Sequence, residues 1–152
     1  MTSKVILLVD DDPLFLMLTR KLLEDQTYLQ RIDVLSSAEE LIRYFQELRA
    51  TGASFPHAVF IDIDMPLMSG LELAEQIHAD FLRQQPQTKL FILSSSISQR
   101  DRQTAENLQS VAGYMEKPLL PDKLKEALGM EKRQPGDRDF INRPAKHHWL
   151  PF

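Results

Sequence analysis

Four short apolar runs in this chain each end in residues that could do chemistry. Val5 to Val9 (VILLV) ends in Asp10-Asp11-Asp12, and Ala58 to Ile61 (AVFI) ends in Asp62, with Asp64 two residues on. Lys89 to Leu93 (KLFIL) ends in Ser94-Ser95-Ser96, and Ala112 to Met115 is closed by Glu116-Lys117-Pro118. Carboxylates brought within a few ångströms raise each other's proton affinity unless a cation offsets their charge. Oxygen ligands with no His or Cys beside them favour Mg²⁺, with Mn²⁺ as the alternative. Asp62, the central carboxylate, has the chemistry to attack phosphorus in line. The ion, the Lys117 ammonium and the Ser94 hydroxyl would then hold the three equatorial oxygens where charge accumulates. The product of that reaction is a labile acyl phosphate.

Such chemistry requires the run ends to meet. Short apolar runs bounded by turn residues suit strands buried on both faces, as in a parallel sheet. The spacing predicts strands over 5–9, 31–35, 57–61, 89–93 and 112–115. Between them, Asp12 is the expected N-cap of a helix that begins at Pro13, with Leu14, Met17, Leu18 and Leu22 on its buried side. Ser36 or Ser37 caps a second helix running to about Ala50, with Ser37 and Glu40 forming a capping box. Pro66 and Gly70 mark a tight loop after Asp62, Gly70 for an unusual φ. A third helix follows over 70–82, with Leu71, Ala74, Ile77, His78 and Phe81 on one stripe. Gln84 to Thr88 is a polar turn. The fourth helix, from about 99 to 108, has little apolar content and is expected to be the least firmly packed; the fifth covers 121–128. Strands alternating with helices predict an α/β fold, a doubly wound (βα)5 sandwich whose five-stranded parallel sheet has the order 2-1-3-4-5. That order sets the Asp10-Asp11 strand beside the Asp62 strand and gathers every strand end at the carboxyl edge of the sheet.

At 152 residues the chain suits one domain, and it has no cysteine, which excludes disulfides, thiolate metal sites and thiol nucleophiles. No run approaches a membrane span, and the start, MTSKVILLVDDD, is too short in apolar residues and too acidic for a signal peptide. The expected location is cytoplasmic, with no membrane partner. Residues 1–128 carry 13 Lys/Arg against 19 Asp/Glu, and residues 129–152 carry 5 against 3. An acidic body argues against direct nucleic-acid binding. His57, His78, His147 and His148 have no ligand spacing. The expected organisation is one domain over 1–128 and a C-terminal tail over 129–152. That tail is too short for an output domain, and is either disordered or a docking segment through its HHWLPF end.

The segments LLVDDDP, FIDIDMPLMSG, ILSSS and GYMEKPL, in this order and spacing, resemble those of a receiver domain, the response-regulator partner of a histidine kinase. The resemblance covers about residues 4–128. It implies Asp62 as phosphoacceptor, Asp10 and Asp11 as the acidic pair organising Mg²⁺, and the backbone carbonyl of Asp64 as a further ligand. It also implies Ser94 as the switch hydroxyl, Tyr114 as the aromatic that swings inward with it, and Lys117 as the phosphoryl-contacting lysine. Asp64 and Ser95, beside the acceptor and the switch serine, would bear on rates. The implied phosphodonor is a histidine kinase or a histidine phosphotransfer protein, and the implied downstream surface is helix 4, strand 5 and helix 5; homodimerisation is left open. Mg²⁺-dependent self-phosphorylation from phosphodonors and autodephosphorylation are further implications. Two other readings stand beside this one. A receiver-like interaction module would bind partners without being phosphorylated. A Mg²⁺-dependent phosphatase would use Asp62 as nucleophile and need a second acid/base, for which Asp64 has the spacing.

Overall fold

The computed structural model describes residues 3–95 and 98–130; the expectation for the tail therefore falls almost wholly outside the described residues. Five strands and five α-helices alternate: β1 (Lys4–Val9), α1 (Pro13–Leu23), β2 (Leu29–Leu35), α2 (Ala38–Thr51), β3 (Ala58–Asp62), α3 (Gly70–Asp80), β4 (Lys89–Ser94), α4 (Gln99–Asn107), β5 (Gly113–Glu116) and α5 (Pro121–Ala127). All pairings are parallel and the order is β2-β1-β3-β4-β5, as the sequence predicts.

Alternation along the strands builds two cores. Leu7, Val9, Val59, Ile61, Leu90 and Ile92 pack with Leu41 and Phe45 of α2, Leu71, Ala74 and Ile77 of α3, and Ala105 of α4. Ile6, Leu8, Ala58, Phe60, Phe91 and Leu93 pack with Leu16 and Leu23 of α1 and Leu124 and Ala127 of α5. Side chains on a strand point alternately to opposite faces, so each central strand serves both layers; this is why these runs are apolar throughout. Phe60 and Phe91, neighbours in register, stack with ring centroids 5.2 Å apart.

The buried side of α1 is not the expected one. Leu14, Met17, Leu18 and Leu22 are 56, 50, 54 and 42 % exposed, while Leu16, Thr19 and Leu23 face the core. Both stripes have helical spacing, because PLFLMLTRKLL is apolar on more than one side. Periodicity could not choose between them. The sheet selects the stripe that includes Thr19.

Local signals otherwise hold with small shifts. The Asp12 carboxylate accepts from Leu14 N–H at 3.0 Å and Phe15 N–H at 3.3 Å, capping α1. Ser37 Oγ accepts from Glu40 N–H at 3.1 Å, but the Glu40 carboxylate returns to Ser36 N–H and Ser36 Oγ rather than to the cap residue itself. The expected capping box is thus displaced by one residue. β2 begins at Leu29 and β3 extends to Asp62, which is a strand residue. The stripe of α3 is buried at Leu71, Ala74 and Ile77, but the α-helix stops at Asp80, and a 3-10 turn, Leu82–Gln84, follows Phe81. α4 buries only Ala105 fully, in keeping with its polar sequence.

The loop after Asp62 corrects the role expected of Gly70. The positive φ in this loop, 72°, belongs to Leu67. Gly70 is required for space: a Cβ there would overlap the carbonyl oxygen of Asp62 and lie 2.9 Å from Ile63 Cα. The Gly70 N–H donates to Ile63 O at 2.9 Å, closing the loop against the strand end. Replacing Gly70 with Ala is therefore expected to destabilise the fold by about 1–3 kcal/mol through overpacking, read by urea unfolding, and to displace the Asp62 backbone. Gly52→Ala, at φ 72° with nothing within 4 Å, tests conformation alone and should cost about 1–2 kcal/mol.

Candidate functional site

Three backbone hydrogen bonds just beyond the strands tie their carboxyl ends together. Asp10 N–H donates to Leu35 O (3.0 Å), Ile63 N–H to Leu93 O (2.9 Å), and Lys117 N–H to Ser94 O (2.8 Å). The side chains at this edge are sorted by the same alternation that builds the two cores. Asp10 follows Ile6 and Leu8, Asp62 follows Ala58 and Phe60, and Lys117 follows Met115, all on the α1/α5 side. Ser94 follows Leu90 and Ile92, which share the opposite side with Tyr114.

On the first side, Lys117 Nζ donates to Asp10 Oδ2 at 2.6 Å and lies 3.1 Å from Asp62 Oδ1. Asp10 and Asp62 are buried, at 2 and 6 % exposure, and the Lys117 side chain is only 14 % exposed. The other Asp10 oxygen, Oδ1, accepts from Asp12 N–H at 2.9 Å. Asp11 is exposed, yet one ligand oxygen from each of Asp10, Asp11 and Asp62 can be chosen so that all lie within 4.8 Å of one another. A cluster of three carboxylates facing one ammonium retains excess negative charge. Its oxygen-only donor set fits a hard divalent cation.

The protonation preferences follow from burial and these neighbours. Burial raises the Asp62 carboxyl above its ordinary value; the Lys117 hydrogen bond opposes this, the Asp10 charge adds to it, and the Asp64 N–H hydrogen bond opposes it. Burial alone would lower the Lys117 ammonium, but its hydrogen bonds to Asp10 and Asp62 outweigh that and raise it. The lysine is held charged and the Asp62 carboxylate is costly to ionise.

The remaining expected residues are placed as follows. Asp64 is exposed on the loop, with its N–H against the Asp62 carboxylate. Ser94 is 1 % exposed, and its Oγ is buried with no hydrogen-bond partner among the described residues. An orphan hydroxyl of this kind is uncommon and costly. Ser95 is exposed. Tyr114 is buried, with the Arg102 guanidinium 5.3 Å from its ring centroid. The charged group thus brings together Asp10, Asp11, Asp62 and Lys117, whereas Ser94 and Tyr114 belong by parity to the other layer. One neighbour is not anticipated by the sequence reasoning: the Phe15 ring, whose centroid lies 4.1 Å from Lys117 Nζ. Its position in the first turn after the Asp12 cap was the available signal.

The raised Asp62 carboxyl has a consequence for stability. A carboxyl that holds its proton more tightly when folded loses native stability as pH rises from the unfolded value through the folded one. Without divalent cation, Asp62→Asn is therefore expected to stabilise the protein at pH 7 by about 0.5–2 kcal/mol, the range for relieving a functional-site conflict. The gain should shrink towards pH 4, where the native carboxyl is itself becoming protonated. Thermal unfolding at the two pH values measures both.

The model of the response regulator receiver domain matches residues 6–129. A curated relative, the probable methanogenesis regulatory protein FilR2 of Methanothrix harundinacea, is 30% identical over 122 residues, covering 80% of this chain and 76% of that protein. Among solved structures, a two component response regulator from Cytophaga hutchinsonii is 30% identical with a TM-score of 0.75, over 82% of this chain and 93% of that one. A CheY-like receiver domain protein from Methanospirillum hungatei is 27% identical with a TM-score of 0.67, over 84% and 95%. Together with the sheet order and the acidic cluster at its carboxyl edge, these matches establish that the chain belongs to the response regulator receiver domain family.

Proposed function

We propose that Asp62 is the phosphoacceptor of a signalling receiver and takes its phosphoryl group from a histidine kinase or a histidine phosphotransfer protein. The observation that carries this reading is the placement of Asp62 Oδ1 3.1 Å from Lys117 Nζ, within the Asp10–Asp11–Asp62 cluster. In the reaction, an Asp62 carboxylate oxygen bonds to phosphorus as the donor's P–N bond breaks. The leaving imidazole keeps the electron pair and takes a proton from solvent. Lys117 stays charged and faces the incoming oxygens. Asp10, Asp11, Asp62 and the Asp64 backbone carbonyl would hold Mg²⁺ or Mn²⁺, which when bound offsets the charge of the carboxylates and of the transferring group. The same residues support self-phosphorylation from small phosphodonors and autodephosphorylation, with Asp64 and Ser95 modulating the rates.

The Ser94 hydroxyl, buried without a partner among the described residues, is suited to donate to a phosphoryl oxygen on Asp62. Its movement would be passed to Tyr114 and to the surface of α4, β5 and α5, where a downstream protein docks. A phosphodonor has a different landing place. The exposed face of α1 (Leu14, Met17, Leu18, Leu22) starts beside the acidic cluster, and exposed Leu120 lies at the start of α5 on the same edge. Apolar surface of this kind suits a helical partner that must deliver its phosphohistidine to Asp62.

Acetyl phosphate with Mg²⁺ should add one phosphoryl group by intact mass, and Asp62→Ala should abolish the addition. No adduct on the parent protein under conditions of demonstrated Mg²⁺ binding and with a phosphorylated kinase as donor would reject the reading. Leu18→Asp should slow transfer from a phosphorylated kinase at least about tenfold, as loss of a central apolar anchor does, and leave the acetyl phosphate rate unchanged.

A further inference from the structure

The chemistry of Lys117 depends on where its ammonium sits, and the hydrogen bonds do not account for its position alone. Two carboxylates hold it from one side: Asp10 Oδ2 at 2.6 Å and Asp62 Oδ1 at 3.1 Å. The Phe15 ring, its centroid 4.1 Å from Nζ, provides a further contact. Phe15 is half-buried in the first turn of α1, next to the Asp12 cap that fixes the helix start, and it packs against the α1/α5 core. The ring is therefore anchored at both ends of its environment, by a capped backbone and by packed apolar neighbours. The lysine side chain, by contrast, has four rotatable bonds and leaves the strand end just after β5.

A cation within about 6 Å of a ring centroid is attracted by the electron-rich face, and the attraction grows when water is excluded. Here the Lys117 side chain is 14 % exposed, so little water competes. The contact has a further consequence because Asp10 has two claims on it. Asp10 belongs to the acidic cluster suited to a divalent cation, and it is also the shorter of the two Lys117 contacts. A cation held by Asp10 would weaken that contact and leave the ring, with the 3.1 Å Asp62 contact, to keep the ammonium at the strand ends.

We infer that Phe15 is a positioning residue for Lys117, its aromatic face keeping the ammonium directed at Asp62. This rests on the reading of Asp62 as acceptor and Lys117 as its phosphoryl contact, and it concerns a residue that the resemblance does not mark. The requirement is for a π face and not only for apolar volume. Leucine would fill much of the space without offering one, and tyrosine would retain it.

The test combines two readouts on the full chain. With acetyl phosphate and Mg²⁺, Phe15→Leu is expected to lower the phosphorylation rate about three- to tenfold, the scale of a partly desolvated cation–π contact, and Phe15→Tyr to keep it within about twofold. Without any divalent cation, urea unfolding of a double-mutant cycle reads the contact independently of the reaction. There the Phe15→Leu penalty on the folding equilibrium constant should be at least about threefold larger with Lys117 present than in a Lys117→Met background. Equal rates for Phe15→Leu and the parent would overturn the inference. So would equal losses in Phe15→Leu and Phe15→Tyr, or an unfolding penalty that is the same in both backgrounds, since each would mean that Phe15 serves only as core packing. Lys117→Met alone separates the two levels: if it leaves phosphorylation unchanged, the reading of Lys117 fails, whereas a large loss with no Phe15 effect removes only the role given to Phe15.

Discussion

Two buried carboxylates sharing one ammonium form the constraint on which this site rests. Asp10 and Asp62 arrive from neighbouring strands, β1 and β3, and are shielded from water. Their proximity would be strongly unfavourable without a cation between them. Lys117, delivered 55 residues after Asp62 in sequence, supplies it through contacts of 2.6 and 3.1 Å. Three carboxylates to one lysine leaves the cluster under-neutralised. That residual charge is what makes the edge suited to a divalent cation, while burial, with the Asp10 charge added, keeps Asp62 reluctant to ionise.

The parallel sheet turns this local constraint into a division of labour. Because side chains alternate across the strands, residues at adjacent strand ends are distributed between two layers. Asp10, Asp62, Lys117 and the Phe15 ring meet on the α1/α5 side. Ser94 and Tyr114 have the parity of the layer covered by α2, α3 and α4. The charge-handling groups and the candidate switch groups therefore share an edge but rest on different cores. Movement of Ser94 could reach α4 and β5 without disturbing the packing of α1, the helix whose outer face exposes Leu14, Met17, Leu18 and Leu22. The backbone bond from Lys117 N–H to Ser94 O is the direct link between the two groups.

Much of this was legible in the chain because its signals are local. Strand runs buried on both faces are apolar without interruption, caps lie next to the helices they start, and the charged residues lie next to the run ends. The meeting of Asp10, Asp11, Asp62 and Lys117 follows from the chain order because a parallel alternation of strands and helices leaves every strand end on one edge. The misread features concern orientation. α1 has apolar residues on two stripes, so helical spacing was satisfied by Leu14, Met17, Leu18 and Leu22 as well as by Leu16, Thr19 and Leu23. Which stripe faces inward depends on how the helix is rolled against β1 and α5, and no residue within the helix encodes that by itself. Gly70 was expected to supply an unusual φ, but it supplies space beside the Asp62 carbonyl, while Leu67 takes the left-handed conformation.

The amino-acid order alone thus specified the elements, their sequence of alternation and the chemical identity of the strand ends, since these follow from periodicity, turn chemistry and charge. Tertiary structure decided which of those groups touch. The Lys117–Asp10 and Lys117–Phe15 contacts join residues about a hundred positions apart, and they exist because β5, β3, β1 and α1 converge at one edge. Pairing of that kind is set by sheet register and helix roll, which arise from packing the two cores at once and are not present in any one segment.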